Sequence, residues 1–117
     1  MPDLTHDNAI AIIEVYEGRL SAEPSALEPA EEFATQAAAL GMEELGFDWQ
    51  AWPPARSGEV NDPAFIAAAD PQTLRLIMTT HLRMNRYEDG HLLLLEERGT
   101  LANIVARLQE LVQAGEI

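Results

Sequence analysis

The sequence predicts an all-α fold, a compact single-domain bundle of five or six helices with short connections. Three observations carry this. Apolar residues recur at a spacing near 3.6 in several segments, and no segment alternates cleanly with period two. Ala, Leu, Glu and Arg, all good helix formers, dominate the chain. A length of 117 residues suits one domain with its own core, and 47% hydrophobic content argues against disorder.

The first helix is expected from Asp7 to Leu20, with Ala9, Ile12, Ile13, Tyr16 and Leu20 on one stripe and Glu14 and Glu17 facing water. "SAEPSALEP" breaks the pattern at Pro24 and Pro29. Pro29 suits a first helical position, and Glu31 and Glu32 suit the positive end of the helix dipole. The second helix then runs to about Leu45 and buries Phe33, Ala37, Leu40 and either Met42 or Leu45, with Gly46 as its stop unless Gly41 breaks it sooner. "FDWQAWPPARSGEVND" reads as a loop with one helical turn from Asp48, ended by Pro53-Pro54. Asp62-Pro63 and Asp70-Pro71 are twin start signals, a capping acid followed by proline. The first opens a short helix over "AFIAAA". The second opens the best helix, with Leu74, Ile77, Met78, His81 and Leu82 on its apolar face and Arg75, Thr79, Arg83 and Arg86 on the other. A short helix over "EDGHLLLLEERG" ends at Gly99. Thr100 is placed to cap the last helix, whose inward residues are Leu101, Ile104, Val105, Leu108, Leu111 and Val112, with Gly115 beyond its end.

The charge is lopsided. Twenty acids against seven bases give a formal net charge of −13, and every base is arginine. Residues 1–32, an acidic helix and linker, hold much of the excess. Too few cations are presented for counterion release, so direct nucleic-acid binding is not expected. The acidity serves solubility, a basic partner, or imitation of DNA. There is no cysteine, which excludes disulfides and thiol chemistry. No apolar run approaches a membrane span, and "MPDLTHDNAI" lacks the pattern of a secretory signal, so the expectation is a cytoplasmic protein without membrane contact.

Several elements in order resemble one known family. These are Phe47-Asp48-Trp49; Asp70, Thr73, Leu74 and Arg75; Arg86-Tyr87-Glu88-Asp89-Gly90; and Gly99 with Ile104 and Leu108. Over roughly residues 33–113 the chain resembles the prokaryotic family catalogued as domain of unknown function 6508. It departs from that pattern at Tyr87, where phenylalanine is common, and in a less basic last helix. The resemblance implies a bacterial or archaeal origin and brings no established activity.

Two stretches concentrate chemistry. Trp49 and Trp52 lie three apart, so one helical turn would put both rings on one side, either closing the bundle or forming the lip of a pocket or a partner hot spot. Asp48 would cap that turn. "RMNRYEDGH" gathers Arg83, Arg86, Glu88, Asp89 and His91. Arg86 could grip a phosphate or carboxylate. Alternatively it pairs with Glu88, Asp89 or an N-terminal acid to fix a helix angle, and Arg75, Arg83 and Arg86 together could satisfy acids of the first half. His81 sits on an apolar stripe and reads as a hydrogen-bonded core residue. A His81–His91 metal pair with Glu88 matches no ligand spacing, so no metal or cofactor is expected.

No phosphate loop and no nucleophile with an assigned base is present, so no catalytic residue is named. The resulting expectation is a non-catalytic protein-interaction or regulatory module with a protein partner or a second copy as its ligand. Two alternatives stand beside it: a nucleotide-like anion site built from tryptophan and arginine, and an acidic DNA mimic.

Overall fold

The computed structural model describes residues 4–18, 29–44, 46–88 and 90–117. The expectations for Leu20, Pro24, Leu45 and Asp89 lie outside the described residues. Among the described residues seven α-helices follow one another: α1 His6–Gly18, α2 Pro29–Ala37, α3 Pro53–Ser57, α4 Pro63–Ala67, α5 Pro71–Tyr87, α6 His91–Arg98 and α7 Thr100–Gln113. There is no strand among the described residues, and none of their helices is long and apolar enough to cross a membrane.

The longer helices follow their apolar stripes. Ala9 and Ile12 of α1 are fully buried, with Ile13 and Tyr16 packed at the edge of the core. α7 packs against α1, α4, α5 and α6 and buries Leu101, Ile104, Val105, Leu108 and Leu111. Tyr16 of α1 meets Phe33 of α2 edge-to-face, at 5.4 Å between centroids and 80° between planes. In α6, Leu92 and Leu95 point inward while Leu93 and Leu94 are exposed, so "LLLL" is split by helical geometry into two faces. Arg107 Nε donates to the Ala69 carbonyl at 2.8 Å, tying α7 to the chain just before α5.

Several local expectations are corrected. The second helix does not run to residue 45. It widens into a π-type turn over Ala38–Met42, where Gly41 adopts φ 98°, and Glu43 leaves it extended. A left-handed residue cannot continue a helix, and glycine takes that conformation without steric penalty. The turn that follows Asp48 does end before Pro53-Pro54, with Trp52 extended, but the prolines do more than stop it. They begin α3, where their missing N–H groups would have had no helical partner anyway. The stretch read as mostly loop thus holds a 3₁₀ turn at Trp49–Ala51, α3, and another 3₁₀ turn at Glu59–Asn61. Thr100 is buried as the first residue of α7 and no side chain caps that helix, because Gly99 occupies the capping position. Arg75 and Thr79, assigned to the outer face of α5, are buried under residues 42–44.

The twin caps form as read. Asp62 accepts from the Ala64 N–H at 2.9 Å, and Asp70 from the Thr73 N–H at 2.7 Å. Backbone and then side-chain hydrogen bonds from Thr73 hold the Asp70 carboxyl below its ordinary value. Asp48 does not cap with its side chain; its carbonyl receives the Ala51 N–H at 3.3 Å. Replacing Asp70 by Ala should therefore cost about 1 kcal/mol and lower Tm by several degrees in thermal melts at neutral pH. Asp48→Ala should change stability by less than about 0.5 kcal/mol.

Candidate functional site

The arginines of α5 do not present a free basic face. Glu43 Oε1 accepts from Arg83 Nε at 3.0 Å and from Arg86 Nη2 at 2.8 Å, and Arg75 Nη1 pairs with Glu44 Oε2 at 2.6 Å. Backbone groups join the same contact. Arg75 donates to the Glu43 carbonyl at 3.2 Å, and the Glu44 N–H donates to Thr79 Oγ1 at 2.9 Å. The Thr79 hydroxyl, 2.8 Å from the Arg75 carbonyl, donates back into its own helix. Arg86 thus meets Glu43 rather than Glu88, and the contact joins α5 to the chain leaving α2. Glu43 and Glu44 belong to the first half of the chain, so acids there do pair with all three of these arginines.

The histidines assemble through one fixed acceptor. His81 is fully buried, with Nε2 2.9 Å from the Val60 carbonyl and Nδ1 3.2 Å from His91 Nε2. A carbonyl oxygen only accepts, so His81 Nε2 carries its hydrogen and Nδ1 is the lone pair. His91 Nε2 must then donate to it. His91 Nδ1 is left as an acceptor, 3.9 Å from Glu88 Oε2. The rings stack at 5.4 Å and 28°. Burial drives His81 down to about 4, opposed by the Val60 bond and reinforced by His91. Burial also lowers His91, with Glu88 raising it and Arg98 lowering it further. The Val60 bond and the His91 bond use both ring nitrogens of His81. Among the described residues no group of three His, Asp or Glu side chains could hold a metal ion.

His91 opens onto a cleft of about 480 Å³. It is lined by Trp49 and Gln50 of the first 3₁₀ turn, by Asn61 of the second, by Met84, Tyr87 and Glu88 at the end of α5, and by His91, Leu94 and Arg98 of α6. The Trp49 and Tyr87 rings lie 6.3 Å apart, tilted by 42°. Tyr87 is 75% exposed.

The two tryptophans do not share a side. Trp52 leaves the 3₁₀ turn with extended backbone, and its ring packs against Phe47 at 5.6 Å and Phe65 at 6.4 Å, at the edge of the core. Trp49 alone reaches the cleft. Arg86 lines a different cleft of about 430 Å³, with Glu43, Asn85 and Leu92. Of the residues singled out from the sequence, the structure brings together Trp49, Glu88 and His91; it places Trp52, Arg83 and Arg86 elsewhere, and Asp89 lies outside the described residues. The sequence reading missed Tyr87, Leu94 and Arg98 as neighbours of His91, although positions 84, 87 and 91 and positions 91, 94 and 98 follow helical spacing. Asn61 carried no such signal, because it arrives on a 3₁₀ turn.

These features define a small all-α protein with an aromatic-lipped cleft and a clamped arginine face. The chain belongs to a family of unknown function, DUF6508, whose model matches residues 17–114. No curated protein and no solved structure matches it.

Two outcomes are expected. Glu43→Ala strands the partly buried Arg83 and should destabilise by about 1–3 kcal/mol, measured by urea unfolding against an exposed control such as Glu116→Ala. His81 binds a proton more readily when unfolded than when folded. Its contribution is therefore fully present above about 6.5 and is lost as pH falls toward about 4. Unfolding free energies measured between pH 7 and 4 should decline over that window, and a His81→Leu variant should show a shallower decline.

Proposed function

We propose that the protein is a cytoplasmic, non-catalytic protein-interaction module, a single helical unit whose contact surface is the α5–α6 corner with Trp49. The observation that carries this reading is the distribution of exposed apolar bulk. Among the described residues the exposed large hydrophobics are Tyr87, Leu93 and Leu94, all within eight positions of one another, and two of them, Tyr87 and Leu94, line the cleft. Exposed apolar side chains gathered on one corner, next to a concave surface, are typical of contact sites.

Other features favour binding over chemistry. The residues lining the cleft include no serine, threonine or cysteine, and the His81–His91 pair ends on a backbone carbonyl rather than on a reacting group. An anion site built from Arg86 and the tryptophans is disfavoured because Arg86 is held by Glu43 and lines a different cleft.

The test compares the native chain with Tyr87→Ser/Leu94→Ser as immobilised bait in extract from a source organism. Both side chains are exposed, so melting temperatures should agree within a few degrees. The expected result is a saturable protein ligand retained by the native chain and lost by the variant. Equal retention by both, or no saturable ligand, overturns the assignment.

A further inference from the structure

We propose that the cleft beneath Trp49 and Tyr87 receives an arginine side chain presented by a basic segment of a protein partner. This rests on the interaction reading above and names the chemistry of the partner.

The hydrogen-bond polarity of the cleft carries the inference. The chain of bonds from the Val60 carbonyl through His81 to His91 leaves His91 Nδ1 as a lone pair. Beside it, 3.9 Å away, is the carboxylate of Glu88, 77% exposed and acceptor-only when ionised. Two adjacent acceptors, one of them charged, attract a donor and repel an anion. A guanidinium carries five donors in a planar fork and no acceptor, so it can bond both groups at once. Its plane can also lie against an aromatic face. Tyr87, three-quarters exposed and 6.3 Å from Trp49, supplies one at the mouth. An ammonium could satisfy the acceptors but has no plane to stack. The occupant assigned is therefore arginine.

Charge complementarity extends beyond the cleft. A chain of formal charge −13 draws basic segments toward it, and the one fixed cation among the cleft's lining residues is Arg98. Arg98 opposes the incoming charge and sharpens the test. Removing it should tighten binding, the reverse of what an anion site would show. His91 must be neutral to accept. The charged and titratable groups around it are Glu88 from the α5–α6 turn, His81 from α5 and Arg98 from its own helix. Protonating His91 takes its lone pair and adds a like charge, so binding should weaken as pH falls through its lowered titration.

The experiment titrates the full chain with a tetra-arginine amide and its neutral tetra-citrulline counterpart, following tryptophan emission at pH 7.5. The arginine peptide should quench saturably and the citrulline peptide should not. Tyr87→Ala should weaken binding about fivefold, Glu88→Gln about threefold, and Arg98→Ala should strengthen it about threefold. Binding by the native chain should weaken as pH is stepped down from 7.5 into the range below 6.5 where His91 takes its proton. Equal binding by all variants would mean diffuse attraction to an acidic surface and overturns the proposal. Equal binding of the citrulline peptide overturns it too, as does weakening by Arg98→Ala with displacement by inorganic phosphate. If these arms fail while Tyr87-dependent capture of a protein persists, the interaction module stands and its arginine chemistry falls. If single arginine amide binds as tightly as the peptide and no protein is captured, the occupant is a small cation and both readings fall.

Discussion

Glu43 gives one carboxylate oxygen to two guanidiniums, and the rest of the upper structure hangs from that contact. With Arg75 on Glu44 and Thr79 on the Glu44 N–H, α5 holds residues 42–44, where the π-type turn gives way to extended chain at Glu43, along its flank. Extended backbone has no internal partners for its polar groups, so something outside it must supply them. Here the long helix does. The direction in which the chain leaves α2 is fixed as a result, and with it the start of the turn that carries Trp49 to the end of α5. The Glu43 side chain is 10% exposed and that of Arg83 19%, so this pair works in partial shelter from water and is worth more than a surface pair, whereas Arg86, 60% exposed, closes the contact at the surface.

The cleft depends on a second constraint, deeper in the molecule. Val60 sits on a 3₁₀ turn and offers its carbonyl to His81. One acceptor then dictates two tautomers in series, and the polarity felt at the surface by His91 is set two bonds below it. The contact also ties three separate pieces of chain, the 59–61 turn, α5 and α6, to one point.

How much of this could be read beforehand differs by element. α5 and α7 were legible because their apolar stripes and caps agree: Asp70-Pro71 marks the start of one, and Leu101 through Leu111 traces the face of the other. The region 41–61 was not, because proline and glycine announce a change of direction without saying which. Pro53-Pro54 signals a helix start as readily as a stop, and Gly41 and Gly46 both looked like ends. The outer face of α5 misled for a different reason. Arg75 and Thr79 are polar, yet they are buried by a polar strip of backbone, and hydrophobic periodicity cannot foresee burial achieved through hydrogen bonds. At the site, Glu88 and His91 were found by their chemistry and Trp49 by its rarity. Trp52 was grouped with Trp49 on a helical spacing that the chain abandons at Trp52 itself.

The clamp around Glu43 has a consequence for the whole molecule. Three of the seven arginines are committed there to two glutamates, leaving a local surplus of positive charge and a still larger deficit everywhere else. Dissolved electrolyte acts on these two populations unequally. Mutual repulsion among exposed acids is screened over about 8 Å at physiological ionic strength, whereas pairs sheltered from solvent are screened far less. Ions in solution therefore relieve the strain of the acidic surface while leaving the Arg75 and Arg83 arms of the clamp largely intact, so this fold is least secure in dilute, salt-poor water.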